Sequence, residues 1–233
     1  YSANRGAGER LSATVLMDHD KVNLIHCTVA DNRSPAPRFA LYADCAMALR
    51  NTIVARNGGG AREADGIHVP HSSLLFLNNL FHNNTLGDFL DDAGATHTGA
   101  TDINATVPGA SGNVDGDPLF AMDGPGARTG VWTANAAYDA AASTTVLTDA
   151  SASFPPGSLT WGLIVPNESD PCQMLIVANT TDSVTVAGNA GAIGAGMAYR
   201  ICDYRLRPGS PAIGNGQGGA DIGASSQIGK AHV

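Results

Sequence analysis

Apolar positions in the first half of the chain recur in short words rather than long stripes. Three segments align without gaps: Val22-Asn-Leu-Ile-His-Cys-Thr-Val-Ala-Asp-Asn32, Met47-Ala-Leu-Arg-Asn-Thr-Ile-Val-Ala-Arg-Asn57 and Leu74-Leu-Phe-Leu-Asn-Asn-Leu-Phe-His-Asn-Asn84, with offsets of 25 and 27 residues. Apolar columns run through Val22/Met47/Leu74, Leu24/Leu49/Phe76 and Val29/Val54/Phe81. Polar columns interrupt and close them at His26/Asn51/Asn78 and Asn32/Asn57/Asn84. Val15, Leu41 and Ile67, 26 residues apart, put a further apolar strand ahead of each unit. Alternation over a few positions is strand periodicity. Asn tolerates left-handed backbone and bonds its own main chain, so each polar column predicts a sharp bend. Side-chain amides stacked at the ~4.8 Å strand spacing also bond to one another. Helical repeats need apolar runs of ten or more residues, which these words lack. The pattern predicts successive coils of short parallel strands, with His26 under Asn51 under Asn78.

Between Phe120 and Asp203 these words stop. Gly124-Pro-Gly-Ala-Arg-Thr-Gly130 is rich in breakers. Short β-like runs follow at Thr144–Leu147, Gly162–Val165, Gln173–Ala178, Ser183–Ala187 and Ala198–Ile201, with Asn179-Thr-Thr-Asp182 as a hairpin turn. The organisation predicted is coils over 1–128, an inserted small β barrel or sandwich over 129–202, and a closing segment over 203–233. The fold class is therefore all-β: a right-handed parallel β-helix with a small antiparallel β module inserted near the C-terminus.

Composition narrows the partners. Charged residues make up 15% of the chain and the net charge is −8, with lysine only at Lys21 and Lys230. No basic face is available for nucleic acid. No apolar run is long enough to span a membrane. Tyr1 opens into a Gly/Arg stretch, as expected once a leader or a longer N-terminal region has been removed. Cys172 and Cys202 sit on apolar β-like runs and are expected to face each other as a disulfide, which implies an oxidising compartment. Cys27 and Cys45, spaced off the repeat, read as small buried thiols. N-x-S/T triplets begin at Asn32, Asn83, Asn104, Asn167 and Asn179; an Asn- and Thr-rich chain produces them by chance as readily as for glycosylation.

The three Asn-ended units resemble the parallel β-helix repeats of secreted polysaccharide-associated proteins. Gly112-Asn-Val-Asp-Gly-Asp-Pro-Leu-Phe120, Asp203-Tyr-Arg-Leu-Arg-Pro-Gly-Ser-Pro-Ala-Ile213 and Asp221-Ile-Gly-Ala224 resemble the closing coils of bacterial "choice-of-anchor" surface β-helices. The resemblance covers residues 10–125 and 203–224. It implies an extracellular protein whose partners are a carbohydrate polymer or copies of itself. Gln227–Val233 is no recognisable anchor, and the N-terminal coils usual in that family are missing.

β-Helix enzymes act on acidic polysaccharides along an outward face, so groups one coil apart should converge. Asp65 and His68 flank Ile67; Asp88, Asp91 and Asp92 flank Phe89-Leu90 one coil on. Asp65, His68 and Asp88 are the catalytic candidates for a lyase or glycosidase, which would work through a general acid and base. Asp88, Asp91 and Asp92 are the calcium candidates, because calcium takes oxygen ligands. Arg50, Arg56 and His82 are candidates for neutralising a uronate. Trp132 and Trp161, with Tyr138 and Tyr199, are candidates for a sugar-stacking platform, or else supply bulk to a core poor in large residues. Asp115 and Asp117 belong to the closing motif, where turn capping is preferred to metal binding. With only one loose acidic cluster, the non-catalytic reading is preferred: a structural or glycan-binding surface protein, in one version assembling end to end.

Overall fold

The computed structural model describes residues 15–17, 21–32, 39–43, 46–57, 59–63, 75–91, 93–124, 127–170 and 172–223. The chain is strand-rich, with a single α-helix among the described residues. It divides into two compact units, one drawn from residues 1–118 and 208–233, the other from 119–207.

The first unit passes repeatedly through the same order of strands. The first pass is β1 (Val15–Met17), β2 (Lys21–Ile25) and β3 (Thr28–Ala30). The second is β4 (Phe39–Ala43), β5 (Ala46–Arg50) and β6 (Ile53–Ala55). The third is β7 (Gly59–Glu63), β8 (Leu75–Leu77) and β9 (Leu80–His82). Each pass pairs in parallel with the one before, giving three sheets: β1-β4-β7, β2-β5-β8 and β3-β6-β9. A fourth pass adds β10 (Phe89–Leu90) to the first sheet, then leaves the pattern. An antiparallel strand β11 (Thr96–His97) and a short helix α1 (Ala100–Thr106) intervene. Next, β12 (Ala110–Ser111) and β13 (Val114–Asp115) extend the second and third sheets, again in parallel.

The register reproduces the sequence columns in the second and third sheets: Leu24 beside Leu49 beside Phe76, and Val29 beside Val54 beside Phe81. The first sheet differs. Leu41 pairs with Ala61, so β7 occupies the place expected of the Ile67 strand. Backbone pairing resumes directly after the Asn57 turn, ahead of the apolar residue. Ile67 and Leu74 lie outside the described residues.

The left-handed corners fall on the first polar column, but one residue ahead of the second, so Asn32, Asn57 and Asn84 are not themselves the bend. His26, Asn51 and Asn78 have φ of 53°, 48° and 54°, and Gly112 takes the same corner at 66°. Asp31, Arg56 and Asn83 make the next corner at 58°, 58° and 49°. A left-handed residue swings the chain sharply between two strands, and Asn, Asp and Gly do so at least cost. The enclosed core contains Leu41, Met47, Leu49, Val54, Phe76, Phe81 and Phe89, joined by Ile103 and Val107 from the α1 region. Phe76 meets Phe89 edge to face at 4.9 Å. Residues 208–223 add no strand; they fold as turns against Asn51, whose side-chain oxygen accepts the Gln217 N–H at 2.8 Å and whose carbonyl accepts the Gly223 N–H at 2.6 Å.

The second unit is antiparallel throughout. Its strands are β14 (Thr129–Val131), β15 (Ala137–Asp139), β16 (Thr144–Thr148), β17 (Leu163–Val165), β18 (Met174–Asn179), β19 (Ser183–Ala187) and β20 (Ala198–Cys202). They form one seven-stranded sheet in the order β14-β20-β17-β18-β19-β16-β15. In β19 the residues at 184 and 186 are buried while 183, 185 and 187 are not, the period of a half-buried strand. The inward residues close on Trp132, Phe154 and Tyr199.

The expected Cys172–Cys202 bridge is not formed; both cysteines are thiols, and among the described residues there is no disulfide. The strand order explains this. Cys202 ends β20 and Cys172 precedes β18, and β17 lies between those two strands. A disulfide needs Cα atoms within about 7 Å, less than two strand spacings.

Candidate functional site

The amides of the first unit are joined in two ladders. In one, the Asn57 side-chain oxygen accepts from the Asn32 main chain and amide at 3.1 and 3.0 Å, and the Asn84 oxygen accepts from Asn57 in the same way. The Asn57 and Asn84 amides also donate to the carbonyls of Val29 and Val54. The other ladder runs one residue beyond the His26/Asn51/Asn78 column. Asn79 accepts from the Thr52 N–H at 3.0 Å and donates to the Leu49 carbonyl and to Asn113, which donates in turn to the Phe76 carbonyl. Asn51 reaches back to His26 at 3.2 Å. The second ladder escaped the sequence reading because Asn79 and Asn113 are 34 residues apart. The Asn78-Asn79 doublet was the available signal.

Each ladder ends on a group that stops it. Asn104 of α1 accepts from the Asn113 amide at 2.7 Å. Asp88 ends the other: its carboxylate accepts from Asn84 at 2.7 Å and from the Gly99 N–H at 2.7 Å. Burial pushes the Asp88 carboxyl up from its ordinary value; the two hydrogen bonds pull it back only in part, and the neighbouring charge of Asp115 adds to the rise. Asp115 accepts from the Ala100 N–H at 2.6 Å, a contact to the first turn of α1 fifteen residues away rather than a cap on its own turn.

The other acidic candidates separate. Asp91 accepts from the Ala95 N–H at 2.6 Å and lies 3.3 Å from His97. The opposite nitrogen of His97 lies 3.3 Å from Asp102 and 3.0 Å from the Thr106 hydroxyl, and its ring stacks on Phe89. The Thr106 hydroxyl donates to the Asp102 carbonyl one turn back. His97 and Asp102, which sequence reasoning missed, thus fasten the β10–β11 hairpin to α1. Among the described residues no three His, Cys, Asp or Glu side chains come together as metal ligands. Asp65, His68 and Asp92 lie outside the described residues.

The cationic candidates come from two different sheets. Arg56 is paired with Asp31 at 2.6 Å. Its N–H donates to the carbonyl of His82, which ends β9. Arg50 belongs to a different sheet, between Ile25 and Leu77.

The aromatic candidates divide. Trp132 is buried, stacked on Tyr199 at 4.0 Å, and donates from Nε1 to the Pro166 carbonyl at 2.8 Å; Trp132 and Tyr199 are core, not platform. Trp161 is 70% exposed and has a φ of 69°, a conformation bulky residues rarely take. Its N–H donates to Ile176 on β18, and exposed Leu175 occupies the adjoining position of that strand. Tyr138 is exposed on β15.

No family model, no curated protein and no solved structure matches this chain.

Proposed function

We propose that the first unit is a right-handed parallel β-helix of the type found in extracellular surface proteins, and that the protein is a non-catalytic glycan binder. The observation that carries this reading is the use made of the polar groups. The stacked amides and Asp88 are committed to one another, as in a scaffold, while among the described aromatics Trp161 is the most exposed, at 70%, and is held at a strained backbone position. Strain of this kind persists where the surrounding structure imposes it, and it gathers at functional sites. An exposed indole face suits the C–H face of a pyranose. Carboxylate-pair catalysis would draw on Asp88, whose carboxylate already accepts two short hydrogen bonds. The extracellular assignment is supported by the low charge, the Asn- and Thr-rich composition and the resemblance of the repeat units.

The test is incubation of the full chain with a panel of plant, algal and bacterial polysaccharides, reading both retention on the polymer and release of unsaturated or reducing ends. Retention without product is expected, and Trp161→Ala should weaken it. Product release, or no retention on any polymer, overturns the reading.

A further inference from the structure

A cavity of about 530 Å³ opens in the second unit beside β14, within the ~300–1,000 Å³ range of small-ligand sites. Arg128, Ser151 and Ser153 line it and are exposed; Asp149 and Tyr199 line it and are buried. The Tyr199 hydroxyl donates to Asp149 Oδ2 at 2.7 Å, and the Ser151 N–H donates to Oδ1 at 2.9 Å. Each carboxylate oxygen keeps a further lone pair, and among the described residues no cation bonds to Asp149. Gly130 faces Tyr199 across the β14–β20 pair, and a Cβ there would fall 2.5 Å from the Tyr199 oxygen and 2.7 Å from Asp149 Oδ2. Only glycine lets the strand pass this pair.

We infer that this cavity is a binding site for a neutral sugar unit with vicinal hydroxyls, a deepening that rests on the glycan-binding reading. A sugar hydroxyl both donates and accepts, so one ligand satisfies the Asp149 acceptor and the Arg128 donor together. An anion would meet Asp149, and a cation would meet Arg128. Exposed Val131 and buried Phe154, also in the lining, offer apolar surface to a C–H face. Hydrogen bonds to a buried carboxylate are the stronger kind, so they set the preference. Burial and the bond to Asp149 hold the Tyr199 phenol above its ordinary range, which keeps it a donor.

Titration of the full-length, ¹⁵N-labelled chain with methyl mannopyranoside, methyl galactopyranoside, galacturonate and butylammonium tests this. Both neutral pyranosides should shift the amides of Gly130 and Ser151, with galacturonate and butylammonium at least about tenfold weaker. Asp149→Asn should weaken the pyranosides about tenfold or more. Ser153→Trp, an exposed position, should block the mouth without touching the core; it carries the test if Asp149→Asn fails to fold. No shift with the pyranosides, stronger binding of either charged probe, or unchanged binding in Ser153→Trp overturns the inference. Retention on polysaccharide with no pyranoside shift at Gly130 and Ser151 sinks the cavity site while leaving the glycan reading intact; absence of both sugar binding and retention sinks both.

Discussion

Asp88 shows how one side chain is shaped by what it terminates. Its carboxylate satisfies an Asn84 amide and the Gly99 N–H, two donors that would otherwise be stranded. Asp88→Ala should cost about 3 kcal/mol, since truncation leaves two donors unpaired at roughly 1–3 kcal/mol each. Denaturant unfolding measures it. The pH dependence has a definite sign. The folded protein holds the Asp88 proton more tightly than the unfolded chain, whose carboxyl sits near 3.8. This group's contribution is therefore fully favourable below that value and is lost as pH rises through the higher folded value. Comparison of wild type with Asp88→Ala across acidic pH should show the difference largest at the lowest pH and shrinking as pH rises. Trp161 makes the opposite case. Its left-handed backbone costs on the order of 1–3 kcal/mol, while glycine loses roughly 0.5–1 kcal/mol of extra chain entropy. Trp161→Gly should therefore gain about 1 kcal/mol in thermal or denaturant unfolding while weakening retention on polysaccharide. A loss of stability would show that the indole packs rather than presents itself.

At the scale of the element, ladders turn a weak local preference into register. Asn79 offers its oxygen to the Thr52 N–H and its amide to two acceptors, the Leu49 carbonyl and Asn113. Asn79→Asp is nearly isosteric, yet it sets a carboxylate oxygen against two acceptors in a buried place. It should destabilise by about 3 kcal/mol or more and deprotect the Thr52 amide in hydrogen exchange. Full protection of that amide in the variant would mean the ladder does not carry the register. These elements differ in how far they could be read beforehand. The Leu24/Leu49/Phe76 column was legible because each strand is a short apolar word followed by His or Asn. β7 was not, because Gly59-Gly-Ala-Arg-Glu63 has no apolar alternation and is placed by backbone pairing to β4 and β10. The acidic cluster was legible as a cluster and opaque in purpose, since only distances show that Asp88 faces Asn84, that Asp91 faces His97, and that neither faces the other's partners. The Asp149–Tyr199 pair left no trace in the sequence: the two residues are 50 apart, and Gly130, which admits them, reads as a breaker.

For the whole molecule, the arrangement of the two units along the chain makes the last prediction. Within the first unit, the Pro211 ring packs so closely on Gly116 that an added Cβ would fall 2.9 Å from it. Within the second, the Arg207 N–H donates to the Leu119 carbonyl at 3.0 Å, and Phe120 bridges Leu206. Each unit thus brings its own two chain crossings together by contacts of its own, the arrangement under which an inserted segment tolerates removal. A chain lacking 119–207, with Pro118 and Pro208 joined through a short Gly-Ser link, should keep the parallel sheets, read as slow exchange of the Thr52 and Asn79 amides. Residues 119–207 alone should keep the near-ultraviolet dichroism of the stacked Trp132–Tyr199 pair, and with it the sugar-induced shift at Gly130. The ladder caps bear on assembly in the same way. Asp88 and Asn104 occupy the acceptor places that a further Asn coil would need, and antiparallel β11 ends the first sheet on that side. Head-to-tail stacking of whole molecules would have to displace them, so light scattering should find monomers at high concentration. Filaments that form in wild type and persist in Asp88→Ala would mean that growth proceeds through another surface, and that the caps do not govern assembly.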